Sequence, residues 1–446
     1  MVFVVVGFLV ILGASILIVK PKLFFIYWLS IYAYILPIFY LLLRPYFTPY
    51  EKFVPILSNY PGAILFLMLL FSAVSWKRSN KINKVLYTLS FPLTLLFLFI
   101  FLQNIMVGID IRALIANTRD ILWSVAPFCL LMLKNKVRPT RDSLINFIII
   151  FVFIQTIFCF LNLIGFRIYG SLSGGFDDNL ISGTFPRYNH MADYLTIYFF
   201  IISYEYWECK RIKRKIYYLM FFLIGLIILL SGARMSLILY TLTILFFICC
   251  YQSRKIIFCF LLGIALLGGL FIIGNDNYLG KKADDGTGME RNIIGIINLA
   301  NSDDVSEGNT LEMSARILYN YLNSPLFGNG KSYRQDFYYG KPTWPYNNEG
   351  SYKVDARLAF MFVEYGIIGL ILFFFFFSSI LKGCYLYSEE NKKIVYIGAF
   401  LFFLLNSTTD PGFWDYIMFS VIIIYVFSTK GIEAENNGRN KVRVSC

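Results

Sequence analysis

The chain has 446 residues, of which 58% are hydrophobic, 19% aromatic and only 15% charged, with a mean hydropathy of +0.64. These values exclude a soluble globular domain and a disordered chain alike; they describe a protein whose solvent is lipid. The net charge of +13 would point to nucleic acid in a soluble protein, but in a membrane protein basic residues mark the loops that stay in the cytoplasm, so their positions matter more than their sum.

Apolar runs of about 17 to 25 residues recur along the chain, each the length a helix needs to cross roughly 30 Å of hydrocarbon with its backbone hydrogen bonds satisfied internally. In chain order, spans are expected at about 2–19, 23–43, 61–76, 85–106, 119–133, 144–166, 191–207, 216–232, 234–250, 256–274, 356–381, 394–409 and 413–429. The expected fold is an all-α polytopic bundle of about 12 to 13 transmembrane helices with one large extracytoplasmic loop. Lys20, Pro21 and Lys22 follow the first run and another span begins at once, which reads as a signal anchor rather than a cleaved signal peptide.

The basic residues alternate with the spans. They cluster at Lys20 and Lys22, in 77–84 (KRSNKINK), 134–141 (KNKVRPTR) and 210–215 (KRIKRK), at Arg254 and Lys255, at Lys382, Lys392 and Lys393, and in the tail at Lys430, Arg439, Lys441 and Arg443. These segments hold more than half of the 40 Lys and Arg residues. By the positive-inside rule they are cytoplasmic, which puts the C-terminus inside, the N-terminus outside, and the two long loops 167–190 and 275–355 on the outer side. The sequence thus divides into N-terminal helices (1–166), a smaller outer loop (167–190), helices with a tight SGAR hairpin (191–274), the large outer loop (275–355), C-terminal helices (356–429) and a cytoplasmic tail (430–446). Of the eight cysteines, Cys129, Cys159, Cys249, Cys250 and Cys259 fall in spans, and Cys209, Cys384 and Cys446 on the inner side. Neither a disulfide-held outer loop nor a Cys/His metal site is expected.

Ionisable residues near bilayer depth are costly unless paired or wet, so they are the first candidates for function. Arg234 stands in LLSGARMSL between two apolar runs so close that the chain must turn within about four residues. Arg187 and His190, the single histidine, close the smaller loop; Arg316 lies in ARILYNYLN (315–323), whose apolar spacing predicts a short amphipathic helix within the large loop. Three arginines on one side of a membrane suit a pyrophosphate, because guanidinium binds phosphate oxygens in a bidentate fork. Each also has an ordinary reading, as an interfacial or solvated charge. Asp355 and Glu364 flank the entry to the span at 356–381; nine residues apart on a helix they would project oppositely, so they are not a pair facing one substrate. Tyr319, Tyr321, Tyr338, Tyr339 and Trp344 are candidates for stacking on sugar rings and equally for interfacial anchoring.

Four motifs in order resemble those of the O-antigen polymerase and O-antigen ligase superfamily, membrane glycosyltransferases of bacterial surface polysaccharide assembly. GTFPRYNHMADYL (183–195) resembles the stretch that opens a span, LLSGARMSL the Ser-x-x-Arg hairpin, RILYNYLNSPLFGNG (316–330) the Arg helix followed by Pro-Leu-Phe-Gly-x-Gly, and EYGIIGL (364–370) the Glu-x-Gly-Ile-Ile-Gly helix. The resemblance implies a polyprenyl-pyrophosphate-linked oligosaccharide as substrate and no metal or other cofactor. It assigns Arg234 and Arg316 to the pyrophosphate; Asp355 is the expected proton acceptor, and Arg187, His190, Tyr319, Asn329 and Glu364 are the expected substrate-binding residues. Membrane lipid and a chain-length regulator protein are the further expected partners, nucleic acid is not, and the expected location is the bacterial inner membrane. Ligases of the superfamily carry His-Asn beginning nine residues before that glutamate; here the positions hold Asp355 and Ala356, which resembles the polymerase branch. The competing readings are a ligase and, from a different class, a lipid-linked oligosaccharide flippase, for which mid-span charge is scarce and the outer loop long. No inverted repeat of the transporter kind is evident.

Overall fold

The structure, a computed structural model, describes residues 2–31, 80–107, 139–166, 181–185, 188–251, 324–328, 357–387 and 425. Within them every long element is a helix: α1 (Val2–Val19), a 3-10 turn (Pro21–Leu23), α2 (Phe24–Ser30), α3 (Asn80–Val107), α4 (Arg141–Leu163), α5 (Tyr188–Trp207), α6 (Arg214–Ser231), α7 (Arg234–Tyr251) and α8 (Arg357–Tyr387). Four of these contain windows long and apolar enough to cross a membrane: Tyr87–Met106, Arg141–Leu163, Arg214–Ser231 and Glu364–Gly383. The protein is an all-α, multi-pass membrane protein, as its composition requires. The expected spans at 61–76, 119–133, 256–274 and 394–409, the expected helix at 315–323, and the expected span at 413–429 apart from Tyr425 lie outside the described residues.

The chain divides into two compact units, one formed by Met1–Leu23, Pro55–Pro139 and Ser306–Lys430, the other by Phe24–Val54, Thr140–Val305 and Gly431–Cys446. In the second unit α5 is the central helix. Residues 191–204 are buried on every side, because α4, α6 and α7 all pack against it. A helix buried all round can carry polar residues in place of lipid-facing apolar ones, and α5 does. Its neighbours keep one face for lipid: Ile150, Phe153, Ile157 and Phe160 of α4 recur at helical spacing and are all exposed. The α4–α5 contact is aromatic, with Phe151 edge-on to Tyr198 at 4.8 Å between ring centroids and Phe185 6.0 Å from Phe151. On the other side Phe199 meets Tyr240 of α7 at 4.5 Å, and the Tyr240 hydroxyl donates to the Phe221 carbonyl of α6 at 2.6 Å.

Local sequence explains where these helices begin and end. Thr140 caps α4, its Oγ1 accepting from the Ser143 amide at 3.2 Å. At the other end the chain turns through Gly165 at φ 89; the Gly165 amide donates to Asn162 and the Phe166 amide to Leu161, the paired bonds of a Schellman ending. α6 stops at Gly232, in the left-handed region at φ 78, ψ 10, and α7 starts two residues later at Arg234. The tight hairpin expected at SGAR is therefore present.

α4 and α5 run in opposite directions. The first residues of α4 meet the end of α5 through Arg211, which lies 4.0 Å from both Asp142 and Glu205, while the last turns of α4 hold residues 182–184. The basic segment 210–215 and the SGAR hairpin thus lie at opposite ends of α6. In the first unit α3 and α8 pack antiparallel: Phe91 contacts Phe375 at 6.3 Å between centroids, and Gln103 reaches Glu364.

Candidate functional site

Two places at helix ends carry the polar groups that the apolar spans otherwise lack. The first, in the second unit, surrounds the SGAR hairpin. Just before α5 the chain runs without regular structure through Ile181, Gly183, Thr184 and Phe185, all buried. Backbone without helical partners at such depth has to be satisfied by side chains. α4 supplies them: Asn162 Oδ1 accepts from the amides of Ser182 (3.1 Å) and Gly183 (2.9 Å), and Gln155 Oε1 accepts from the Thr184 amide (3.0 Å) while its Nε2 donates to Thr184 Oγ1 (2.5 Å). Gly183 is at φ 59, and a Cβ there would collide with Gln155 and with Met191 Sδ, so the docking requires glycine.

Beyond this segment, His190 lies in the first turn of α5, and Asp193 follows three residues later, one helical turn on. Asp193 is 2% exposed. Its Oδ1 accepts from Ser236 Oγ at 2.5 Å. Ser236 is two residues beyond Arg234, in the first turn of α7, where the helix dipole favours a negative charge. Alongside, Thr196 Oγ1 donates to the Ala192 carbonyl of its own helix at 2.8 Å and lies 3.4 Å from the Ser236 carbonyl. The turn itself is closed by Ser231 Oγ, which accepts from the Ala233 amide at 3.3 Å. The backbone positions of His190 and Arg234 are thereby fixed on two helices joined by a carboxylate–hydroxyl bond.

The second place, in the first unit, is a helix broken at a glycine. α8 carries Gly366 at φ 63, ψ −173, which no helix allows and few residues other than glycine adopt. Into the break fits the turn Ser324–Gly328, closed by the Gly328 amide donating to the Ser324 carbonyl at 2.7 Å. Gly328 is itself at φ 73. The two glycines face each other so closely that a Cβ on Gly366 would stand 2.5 Å from the Gly328 nitrogen, and one on Gly328 at 2.5 Å from the Gly366 nitrogen. Glu364, two residues before the break, is 3% exposed.

Of the residues expected to form the site, Glu364 is thus seen buried at the break, and His190 and Arg234 are placed by their helices. Arg187, Arg316, Tyr319, Asn329 and Asp355 lie outside the described residues, as do Tyr321, Tyr338, Tyr339 and Trp344; α8 begins at Arg357, two residues after Asp355. Gln103, Gln155, Asn162, Asp193 and Ser236 are polar groups within the helices, away from the charged loops of the sequence. Their signal was present in the sequence as amides and a carboxylate within apolar runs, where a polar side chain needs a partner.

Residues 219–374 match the model of the O-antigen ligase family. The match supports the resemblance of the chain to the O-antigen polymerase and ligase superfamily. The match, roughly a third of the chain, begins in α6, takes in the SGAR hairpin, the large loop and the docked turn, and ends in α8 beyond the break. Members of this family are enzymes of surface polysaccharide assembly. No curated protein matches the chain at a significant level.

Proposed function

We propose that the protein is a polymerase that joins polyprenyl-pyrophosphate-linked oligosaccharide repeat units on the outer side of the bacterial inner membrane, with its C-terminus in the cytoplasm. The observation that carries this choice within the superfamily is Asp355 with Ala356, at the place where the ligases have His followed by Asn. A hydroxyl of one lipid-linked unit attacks the anomeric carbon of another chain; the new glycosidic C–O bond forms as the bond to pyrophosphate breaks, and polyprenyl pyrophosphate leaves with the electron pair. Arg234 and Arg316 stabilise the charge growing on the leaving group, the electrostatic form of catalysis. Asp355 accepts the hydroxyl proton. Arg187, His190, Tyr319, Asn329 and Glu364 hold the sugars and the phosphates. Arg234 is supported in this role by its place at the N-terminus of α7, at the end of the helices opposite the basic segment 210–215.

The family description itself favours one other reading, a ligase that moves finished polymer to a lipid acceptor. The surface polysaccharide ladder separates the two. Deletion of the gene should collapse the ladder to a single repeat unit, with rescue by wild type and none by Arg316→Ala although that variant reaches the membrane. Normal polymer length with Arg316→Ala would remove the pyrophosphate role, and polymer made but left unattached would identify a ligase.

A further inference from the structure

An unbroken α8 would join the Ile367 amide to the Val363 carbonyl and the Ile368 amide to the Glu364 carbonyl. Both amides instead leave the helix, Ile367 donating to the Pro325 carbonyl at 2.9 Å and Ile368 to the Leu326 carbonyl at 3.2 Å. The Glu364 carbonyl released by this exchange is taken by the side chain of Gln103 on α3, whose Nε2 donates to it at 2.6 Å and also donates to the Phe327 carbonyl of the turn. Gln103 is 1% exposed, one turn from the end of α3. Its two N–H groups meet two carbonyls, one on the broken helix and one on the turn. A glutamine is suited to this: it offers two donors at this reach without the charge that lysine or arginine would bring to bilayer depth.

We propose that Gln103 is a positioning residue of the transfer reaction, pinning the large loop to the broken helix at Glu364. The turn lies in sequence between Arg316 and Asp355, so its anchorage fixes a point of the chain between these two groups. Without Gln103 the carbonyls of Glu364 and Phe327 each lose a hydrogen-bond donor. Relief comes from letting Ile367 and Ile368 return to their helical partners, which closes the break and frees the turn. Gln103 therefore acts through the loop and Glu364, with no contact to the reacting atoms required. The proposal rests on the polymerase reading only for the activity it affects; the pin itself is measurable without it.

The test uses the full-length protein purified in lipid, with hydrogen exchange followed in the peptides covering 324–328 and 364–370 and elongation followed on lipid-linked repeat units. Gln103→Leu, which keeps the volume and loses both donors, should speed exchange at Gly328, Ile367 and Ile368 and lower kcat by roughly tenfold or more. The KM for the lipid-linked unit should rise by a smaller factor than kcat falls, since Arg234, on a separate hairpin, keeps part of the hold on the pyrophosphate. Gln103→Asn, with the same donors one methylene short, should fall between the two and serves if the leucine variant does not fold. Unchanged exchange would overturn the pin, and fast exchange with unchanged kcat would overturn the positioning role. If wild type moves polymer to a lipid acceptor instead of lengthening it, the polymerase reading fails, and the same kcat comparison on that transfer decides for or against Gln103.

Discussion

Ser236 and Asp193 join two helices by a 2.5 Å hydrogen bond between a hydroxyl and a buried carboxylate. Ser236 stands on the first turn of α7, two residues from Arg234, and Asp193 stands on α5, one turn from His190. The bond ties the arginine hairpin to the central helix of its unit. Ser236→Ala should destabilise the protein by about 1–2 kcal/mol, in the range of interhelical hydrogen bonds within membranes. Asp193→Ala, which also strands the Ser236 hydroxyl, should cost more than Asp193→Asn, which keeps an acceptor. Reversible unfolding in mixed micelles measures the order; equal effects from the alanine and asparagine variants would show that charge, not acceptance from Ser236, matters there.

Gly366 and Gly328 cannot both keep their places if either gains a side chain. Gly366→Ala places a Cβ 2.5 Å from the Gly328 nitrogen and requires an L-residue at φ 63, a cost of roughly 1–3 kcal/mol for the conformation alone. The variant should release the turn and abolish polymer while still inserting in the membrane. Gly7→Ala supplies the control: a Cβ there meets nothing within 4 Å, and alanine in a helix interior is worth about 0.5–1 kcal/mol over glycine, so that variant should be neutral or slightly stabilised. A fully active Gly366→Ala enzyme would contradict the role of the break.

The segment before α5 depends on two amide side chains of α4. Replacing Gln155 with leucine removes both bonds to Thr184, and hydrogen exchange at 181–185 should rise by roughly tenfold, the equivalent of about 1.4 kcal/mol. Leucine at Asn162 should do the same for Ser182 and Gly183. Exchange that stays slow in the double variant would mean that these bonds do not hold the segment.

Cys209 lies at the basic end of the second unit, beyond the membrane-spanning part of α5. Burial, reinforced by the nearby Glu205 carboxylate, pushes its thiol up to about 11. Only the thiolate reacts with a maleimide, so at pH 8 its rate should be roughly 100-fold below that of a thiol with a pKa near 9. Between pH 8 and pH 10 the rate should rise by roughly 100-fold, whereas an exposed thiol with a pKa near 8.5 gains only about fourfold. Labelling of a protein with its other cysteines replaced measures the slope, and a plateau above pH 9 would contradict the raised value.

The sequence made the helices and the hairpin legible because both are decided locally. Runs at 144–166, 216–232 and 234–250 were long enough to require helices, and α4, α6 and α7 occupy 141–163, 214–231 and 234–251. The turn at Gly232 follows from one glycine between two such runs. The break in α8 was not legible: EYGIIGL reads as uninterrupted apolar helix, and its opening depends on Gln103 and on 325–328, remote in sequence. The role of Asp193 was not legible either, since its partner Ser236 lies on another helix. The roles proposed for Arg316 and Asp355 come from motif order, and residues 219–374 match the O-antigen ligase family model.

The central claim is polymerisation, and reconstituted elongation tests it most directly. Purified wild-type protein in liposomes, given only lipid-linked repeat units, should yield a ladder of lipid-linked chains and release polyprenyl pyrophosphate in step with each bond formed. Asp355→Asn should reduce the rate by about 100-fold or more, as loss of a general base does, with product still forming slowly. A preparation that leaves single units unjoined yet transfers preformed polymer to a lipid acceptor would contradict the account and make the protein a ligase.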